Sequence, residues 1–155
     1  MKVIKFGGTS LGTPERMKKV AELVANEHAI VVLSAISGTT NSLTEIAQLL
    51  YKNERNVAKQ KINVLHNSYD IFVESLLEEN NQKNKAKDLV KSHFSHIESF
   101  TEDLFTLHEE KTILAQGELM STALFQLYLE EKKVHSCLLP ALDFMRIDKD
   151  LEPDS

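Results

Sequence analysis

The sequence predicts an α/β fold built on a parallel sheet, with a long helical-hairpin insertion. Three observations predict it. The first 35 residues read strand, glycine loop, helix, strand. The middle of the chain carries apolar residues at alternating spacings of three and four. A further helical pattern then leads into a strand-like run near 135–139. At 155 residues the chain fits one domain, or a large piece of one. A globular chain of this size buries roughly 68–70% of its unfolded surface, enough for a real core.

Residues 3–6 form a short, mostly apolar run ending at Gly7-Gly8, a strand entering a tight loop. Thr13-Pro14-Glu15 opens a helix with a hydroxyl N-cap, proline at the first helical position and an acid in the first turn. Met17, Val20, Ala21 and Val24 give that helix one apolar face. Residues 29–35 are β-branched and small apolar, as in a strand covered on both faces. The unit is βαβ, which implies parallel pairing and a right-handed crossover.

Ser37-Gly38-Thr39-Thr40-Asn41 is a polar loop feeding a helix with Leu43, Ile46, Ala47 and Leu50 on one side. Ile62, Leu65, Tyr69, Phe72 and Leu76 form one apolar stripe. Leu89/Val90, Phe94, Ile97, Leu104 and Leu107 form another. Joined by the polar stretch 78–87, they read as an antiparallel helical hairpin, and the insertion spans about 42–110. A third helix, about 113–131, carries Leu114, Met120, Ala123, Leu124, Leu127 and Tyr128 before the strand near 135–139. After Pro140 nothing closes the last strands, so the expectation is a truncated domain with an exposed sheet edge, rather than a polar surface tail.

The net charge of −5, from 18 basic and 23 acidic residues, argues against general nucleic-acid binding, which needs a basic stripe. It does not exclude a nucleotide, whose phosphates need only a few local donors. No stretch approaches the ~18 apolar residues of a membrane span, and Met1-Lys2 runs straight into a strand without a signal-peptide core. A cytoplasmic, reducing location follows, with Cys137 read as a small core residue in Ser136-Cys137-Leu138-Leu139. His93 and His96 lie three apart on a helix but lack supporting carboxylates, so they read as solvated positions and no metal site is assigned. Glu74, Glu78 and Glu79 read as a solvated helix end, and Met17, Met120 and Met145 as core filler.

The sharpest local feature is Lys5-Phe6-Gly7-Gly8-Thr9-Ser10. Two glycines after a strand let backbone N–H groups approach an anion closely. Thr9 and Ser10 add hydroxyl donors, and Lys5 can place a point charge on a transferring phosphoryl group. The lysine precedes the glycines, so this is not a Walker A loop. Composition alone is equally met by a glycine turn beside a solvated lysine. Ser34 ends a buried strand, where open α/β sheets place ligands. Thr40 can touch a ligand or cap the following helix, and Asn41 can take the capping role instead. Glu118 can hold a substrate ammonium, or be an exposed helix position.

The hexapeptide resembles the signature of the aspartate kinases, in the amino acid kinase superfamily. Val31-Val32-Leu33-Ser34-Ala35 with Gly38, Thr40 and Asn41 resembles that family's second block, and Gln116-Gly117-Glu118-Leu119-Met120-Ser121 its third. The resemblance covers nearly the whole chain, in order and approximate spacing. It implies a partial amino acid kinase fold, a parallel-sheet three-layer α/β/α. The implied activity is transfer of the ATP γ-phosphate to the β-carboxylate of L-aspartate. That reaction opens lysine, threonine and methionine biosynthesis.

Under the resemblance Lys5 is catalytic, Lys5, Gly7, Gly8, Thr9 and Ser10 bind the ATP phosphates, and Ser34, Thr40 and Glu118 bind the amino acid. Mg²⁺ rides mainly on the ATP phosphates. The family's later Arg-Gly-Gly-Ser-Asp block, adenine region and regulatory ACT domains do not occur in these 155 residues. The chain is therefore expected to hold about half an active site, to be inactive alone, and to belong to a parent that forms homo-oligomers through its ACT domains. Two alternatives stay open: another acceptor within the superfamily, and a non-catalytic binding or assembly module. Fusion of the parent to a homoserine dehydrogenase is also left open.

Overall fold

The computed structural model describes residues 2–144. In order it contains β1 (Lys2–Phe6), a 3-10 turn (Gly8–Leu11), α1 (Pro14–Val24), β2 (Ala29–Leu33), α2 (Thr39–Tyr51), α3 (Arg55–Leu76), α4 (Asn80–Ser99), α5 (Leu107–Glu131) and α6 (Ala141–Phe144). β1 and β2 pair in parallel, with Lys2 opposite Ala29 and Phe6 opposite Leu33. The βαβ unit is present, and α1 begins as its sequence indicates. Thr13 accepts the Arg16 N–H at 3.3 Å, and Pro14 holds the first position. Met17, Val20, Ala21 and Val24 are all buried.

The expectation that β2 is covered on both faces is not met. Side chains alternate along a strand, so the register puts Val3 and Lys5 on one face with Ile30 and Val32. Among the described residues that face is open: Val3 is 65% exposed, Ile30 37% and Val32 41%. Ile4, Phe6, Val31 and Leu33 pack against the helices from the other side. β-branched residues suit either setting, so composition does not distinguish one covered face from two.

Helices α2–α5 hold most of the core. α3 and α4 run antiparallel: Glu74 pairs with Lys83 at 2.9 Å and with Lys87 near the link, while His66 stacks on Phe94 farther along, with ring centroids 4.6 Å apart. Lys87 and then Lys83, as hydrogen-bond donors, hold the Glu74 carboxyl down at about 2. The link is shorter than the polar stretch 78–87 suggests, because α4 starts at Asn80. Those polar residues mostly face outward from a helix rather than form a loop. The hairpin also stops at Ser99: Leu104 is 87% exposed, and Leu107 belongs to α5. α5 starts before 113 because Thr106 and Glu109 form a reciprocal capping box.

The start of α4 is held from a distance. Buried Glu131, at the end of α5, accepts the N–H groups of Glu78 and Glu79 at 2.9 Å each. Burial opposes the Glu131 charge, but these two donors and Lys132 outweigh it and hold the carboxyl below its usual range. Glu78 also pairs with Lys132 at 3.2 Å, so the acidic cluster is bonded as well as solvated.

No strand forms at 135–139. Val134 donates to the Leu129 carbonyl and packs on the core, which ties the segment to the end of α5 instead of a sheet edge. Cys137 is exposed rather than a core residue, as are Leu138 and Leu139. Met17 and Met120 are fully buried, and the expectation for Met145 lies outside the described residues. No helix among the described residues is long and apolar enough to cross a membrane.

Candidate active site

The first block ends β1 and turns at once. Lys5 is exposed and forms no ion pair among the described residues. Ser10 N–H closes the 3-10 turn on the Gly7 carbonyl at 2.9 Å. The N–H groups of Gly8 and Thr9 open that turn and have no backbone acceptor among the described residues. Thr9 and Ser10 are exposed beside them. Arg16, not a candidate from sequence, donates from Nη1 to the Thr9 carbonyl at 2.9 Å and brings a second cation to the loop.

The glycines here differ in role. A Cβ on Gly8 would lie 2.7 Å from the Ala35 carbonyl oxygen, whereas one on Gly7 would meet nothing within 4 Å. Gly8 is therefore the residue that lets the first block lie directly on the second.

In the second block, Ser34 N–H donates to the Phe6 carbonyl at 3.1 Å, which extends the ladder one step past β2. The alternation then keeps Ser34 on the side of Val32 and Lys5. Gly38 is the N-cap of α2 with φ of 86°, a left-handed conformation that favours glycine. Neither Thr40 nor Asn41 is the cap, so the capping alternative is set aside. Thr40 stands second in the helix and is exposed. The N–H groups of Thr40 and Asn41 have no backbone acceptor among the described residues. Thr39, just before, is buried, and its Oγ1 shares a 2.9 Å hydrogen bond with the Tyr69 hydroxyl.

The third block passes against the second because Gly117 lacks a side chain. A Cβ there would lie 2.8 Å from Ala35 Cβ and 3.2 Å from Thr39 Cγ2. Ser121 Oγ adds a tie, donating to the Ser34 carbonyl at 2.8 Å. Glu118, next to Gly117, is exposed. Burial, opposed by the Thr39 hydrogen bond and aided by the Glu118 charge, pushes the Tyr69 hydroxyl up to about 12. Buried Gln116 bonds to His93 Nδ1 through Oε1 at 2.6 Å and donates from Nε2 to the Thr112 carbonyl. His93 is therefore a bonded, half-buried residue rather than a solvated position, while His96 is exposed.

A cleft of about 290 Å³ opens beside the second block, lined in part by Gly12, Ser37, Gly38, Thr39, Ser42 and Tyr69. Among the described residues, no three His, Cys, Asp or Glu side chains converge to hold a metal ion. Beyond the C-terminal ends of the two strands, the first block offers a cation and free N–H groups, and the second and third blocks a hydroxyl and a carboxylate. That set suits an anion and an ammonium-bearing acceptor side by side. Tyr69, His93 and Arg16 were hidden because each acts through a partner distant in sequence or on backbone atoms.

The profile of the amino acid kinase family matches residues 1–154. The aspartokinase of Chlamydia trachomatis is 31% identical over 169 residues, covering 96% of this chain and 34% of that protein. A bifunctional aspartokinase/homoserine dehydrogenase of Haemophilus influenzae is 30% identical over 145 residues, covering 85% of this chain and 17% of that protein. The structure of E. coli aspartokinase III in complex with lysine and aspartate matches with a TM-score of 0.81 at 28% identity, over 99% of this chain and 35% of that one. The same enzyme in complex with aspartate and ADP matches at 0.79 and 29% identity, over 99% of this chain and 35% of that one. The chain spans about a third or less of the length of these relatives. Fold and profile agree, and the chain belongs to the amino acid kinase family.

Proposed function

We propose that this chain supplies the phosphoryl-facing and acceptor-binding part of an aspartate kinase. The observation that carries the reading is the meeting of three blocks on Ala35, with Gly8 against its carbonyl oxygen and Gly117 against its Cβ. This brings the glycine loop, the Ser34–Thr40 segment and the start of the Glu118 turn together beyond the C-terminal ends of the two strands. The aspartokinase relatives, and the solved complex with aspartate and ADP, support L-aspartate and a nucleotide as the substrates.

In the reaction proposed, a β-carboxylate oxygen of aspartate attacks the γ-phosphorus of ATP. The bond from that phosphorus to the bridging oxygen breaks, and the electron pair leaves on ADP. The products are 4-phospho-L-aspartate and ADP. The carboxylate is already ionised and needs no base, so positioning and charge neutralisation dominate. Lys5 neutralises charge on the phosphoryl oxygens, while Gly7, Gly8, Thr9 and Ser10 donate N–H and hydroxyl groups to the phosphates. Glu118 holds the substrate ammonium, and Ser34 and Thr40 orient the rest of the amino acid. Mg²⁺ is assigned to the nucleotide phosphates. On this reading the protein works in the cytoplasm, with its adenine pocket and oligomer contacts supplied from outside these residues.

The test is acyl-phosphate trapping with hydroxylamine. The full-length protein is expected to form aspartyl hydroxamate only with both ATP and L-aspartate, and the 155-residue chain alone to form none. Hydroxamate with a different acceptor, or none from the full-length protein, contradicts the reading.

A further inference from the structure

We infer that the hairpin α3–α4 is the positioning frame of the acceptor site, acting through a latch between Tyr69 and Thr39; this rests on the acceptor-site reading above. The two hydroxyls lie 2.9 Å apart, and each residue is only 2% exposed. A buried hydroxyl that loses its partner is left unsatisfied, so each holds the other in place. Thr39 immediately precedes Thr40, and its Cγ2 is one of the atoms that a Cβ on Gly117 would crowd, at 3.2 Å. One buried residue therefore touches both arms of the site.

A second hydrogen bond completes the frame. His93 on α4 bonds to Gln116 at 2.6 Å, two residues before Glu118. The two bonds share a hub. Tyr69 meets the buried Phe94 ring edge-on with centroids 5.6 Å apart, and Phe94 neighbours His93 in sequence. α3 thus holds the Thr40 arm, α4 holds the Glu118 arm, and Phe94 sets their separation. An acceptor gripped at two points is sensitive to that separation, because moving one arm lengthens the hydrogen bonds it offers and weakens binding. Tyr69 is a positioning residue: it acts on the acceptor through Thr39.

The test uses the full-length protein with Tyr69→Phe, which keeps the ring on Phe94 and removes only the hydroxyl. The KM for L-aspartate is expected to rise about three- to tenfold while the KM for ATP stays unchanged. Thr39→Val should reproduce the effect, Thr39→Ser should remain near wild type, and Tyr69→Phe combined with Thr39→Val should be no worse than either alone. Amide exchange at Thr39 and Ser42, whose N–H groups bond to the Ile36 and Gly38 carbonyls at the start of α2, should quicken in Tyr69→Phe, with α3 unchanged. An aspartate KM within twofold of wild type, an equal rise for ATP, or multiplying effects in the double variant would overturn the latch. If wild type shows no aspartate-dependent activity, the acceptor reading fails and amide exchange alone decides: unchanged exchange in α2 removes the latch too, and quickened exchange keeps it as a structural tie.

Discussion

In helices α2–α5, Leu43, Ile46, Ile62, Leu76, Ile97 and Leu124 are sealed from solvent, whereas Val3, Ile30 and Val32 on the two-stranded sheet stay exposed. The helices surround a core in which nearly every apolar stripe finds a partner. The sheet has helices on one face only among the described residues, and Lys5 stands on the other. Stability therefore resides mainly in the helices, while the groups suited to phosphate chemistry sit where few contacts constrain them. The candidate site lies on the seam, with Thr40 and Glu118 on helices and Lys5, Gly8 and Ser34 on or just beyond the strands. Substitutions on the open face of the sheet should change chemistry and spare folding, and substitutions in the seam should do some of both.

Lys5→Ala should show the largest separation. Its side chain is exposed and bonds nothing that the fold needs, so the thermal midpoint should not move. Under the proposed reaction, removing the charge it brings to the transferring phosphoryl group should lower turnover of the full-length protein roughly 100- to 1,000-fold. Turnover within threefold of wild type, read in an ADP-release assay, would remove Lys5 from the site. Glu118→Gln comes next. It keeps shape and loses the charge-assisted hydrogen bond proposed to the substrate ammonium, worth about 1.5–3 kcal/mol, so the KM for aspartate should rise roughly 10- to 100-fold with that for ATP unmoved. An unchanged aspartate KM would return Glu118 to a solvated helix position.

The glycine pair sharpens the contrast within one motif. Gly8→Ala drives a Cβ to 2.7 Å from a backbone oxygen and should destabilise by about 1–3 kcal/mol. Gly7→Ala enters open space at φ of −77°, which alanine adopts freely, and should leave the denaturation midpoint nearly unchanged. Equal effects of the two would show that the loop does not rest on Ala35.

The smallest effect belongs to the helical half. Glu131 has a lower carboxyl pKa in the fold than its ordinary value of 4.5, so the unfolded state binds more protons in the acid range. Its contribution is complete above that value and is lost as pH falls through the folded pKa. The gap in thermal midpoint between wild type and Glu131→Gln should be full at neutral pH and close below about 4.5. A gap independent of pH would mean that the two N–H groups of Glu78 and Glu79 do not depend on the charge.

Local signals were legible in the sequence and distant ones were not. Thr13-Pro14-Glu15 placed the start of α1 because a cap, a proline and an acid act within one turn. The Thr106-Leu107-His108-Glu109 capping box was equally local, and reading it would have started α5 where it starts. The strand expected at 135–139 failed for a different reason. Strand formation needs a ladder partner, and no apolar pattern states whether one is within reach. The three site blocks were legible through their resemblance to a family. Their convergence depends on Gly8 and Gly117 meeting Ala35, and the Tyr69–Thr39 and His93–Gln116 bonds join residues 30 and 23 apart. Such pairs leave no periodic trace.

Amide mapping by NMR during separate titrations of the full-length protein tests the seam most directly. L-aspartate is expected to perturb Thr40, Asn41 and the residues around Glu118, and ADP with Mg²⁺ to perturb Gly7 to Ser10. Both sets should respond while the amides of α3 and α4 facing away from the seam stay fixed. Aspartate that perturbs neither Thr40 nor Glu118 would contradict the account, because the three blocks would then meet for packing alone.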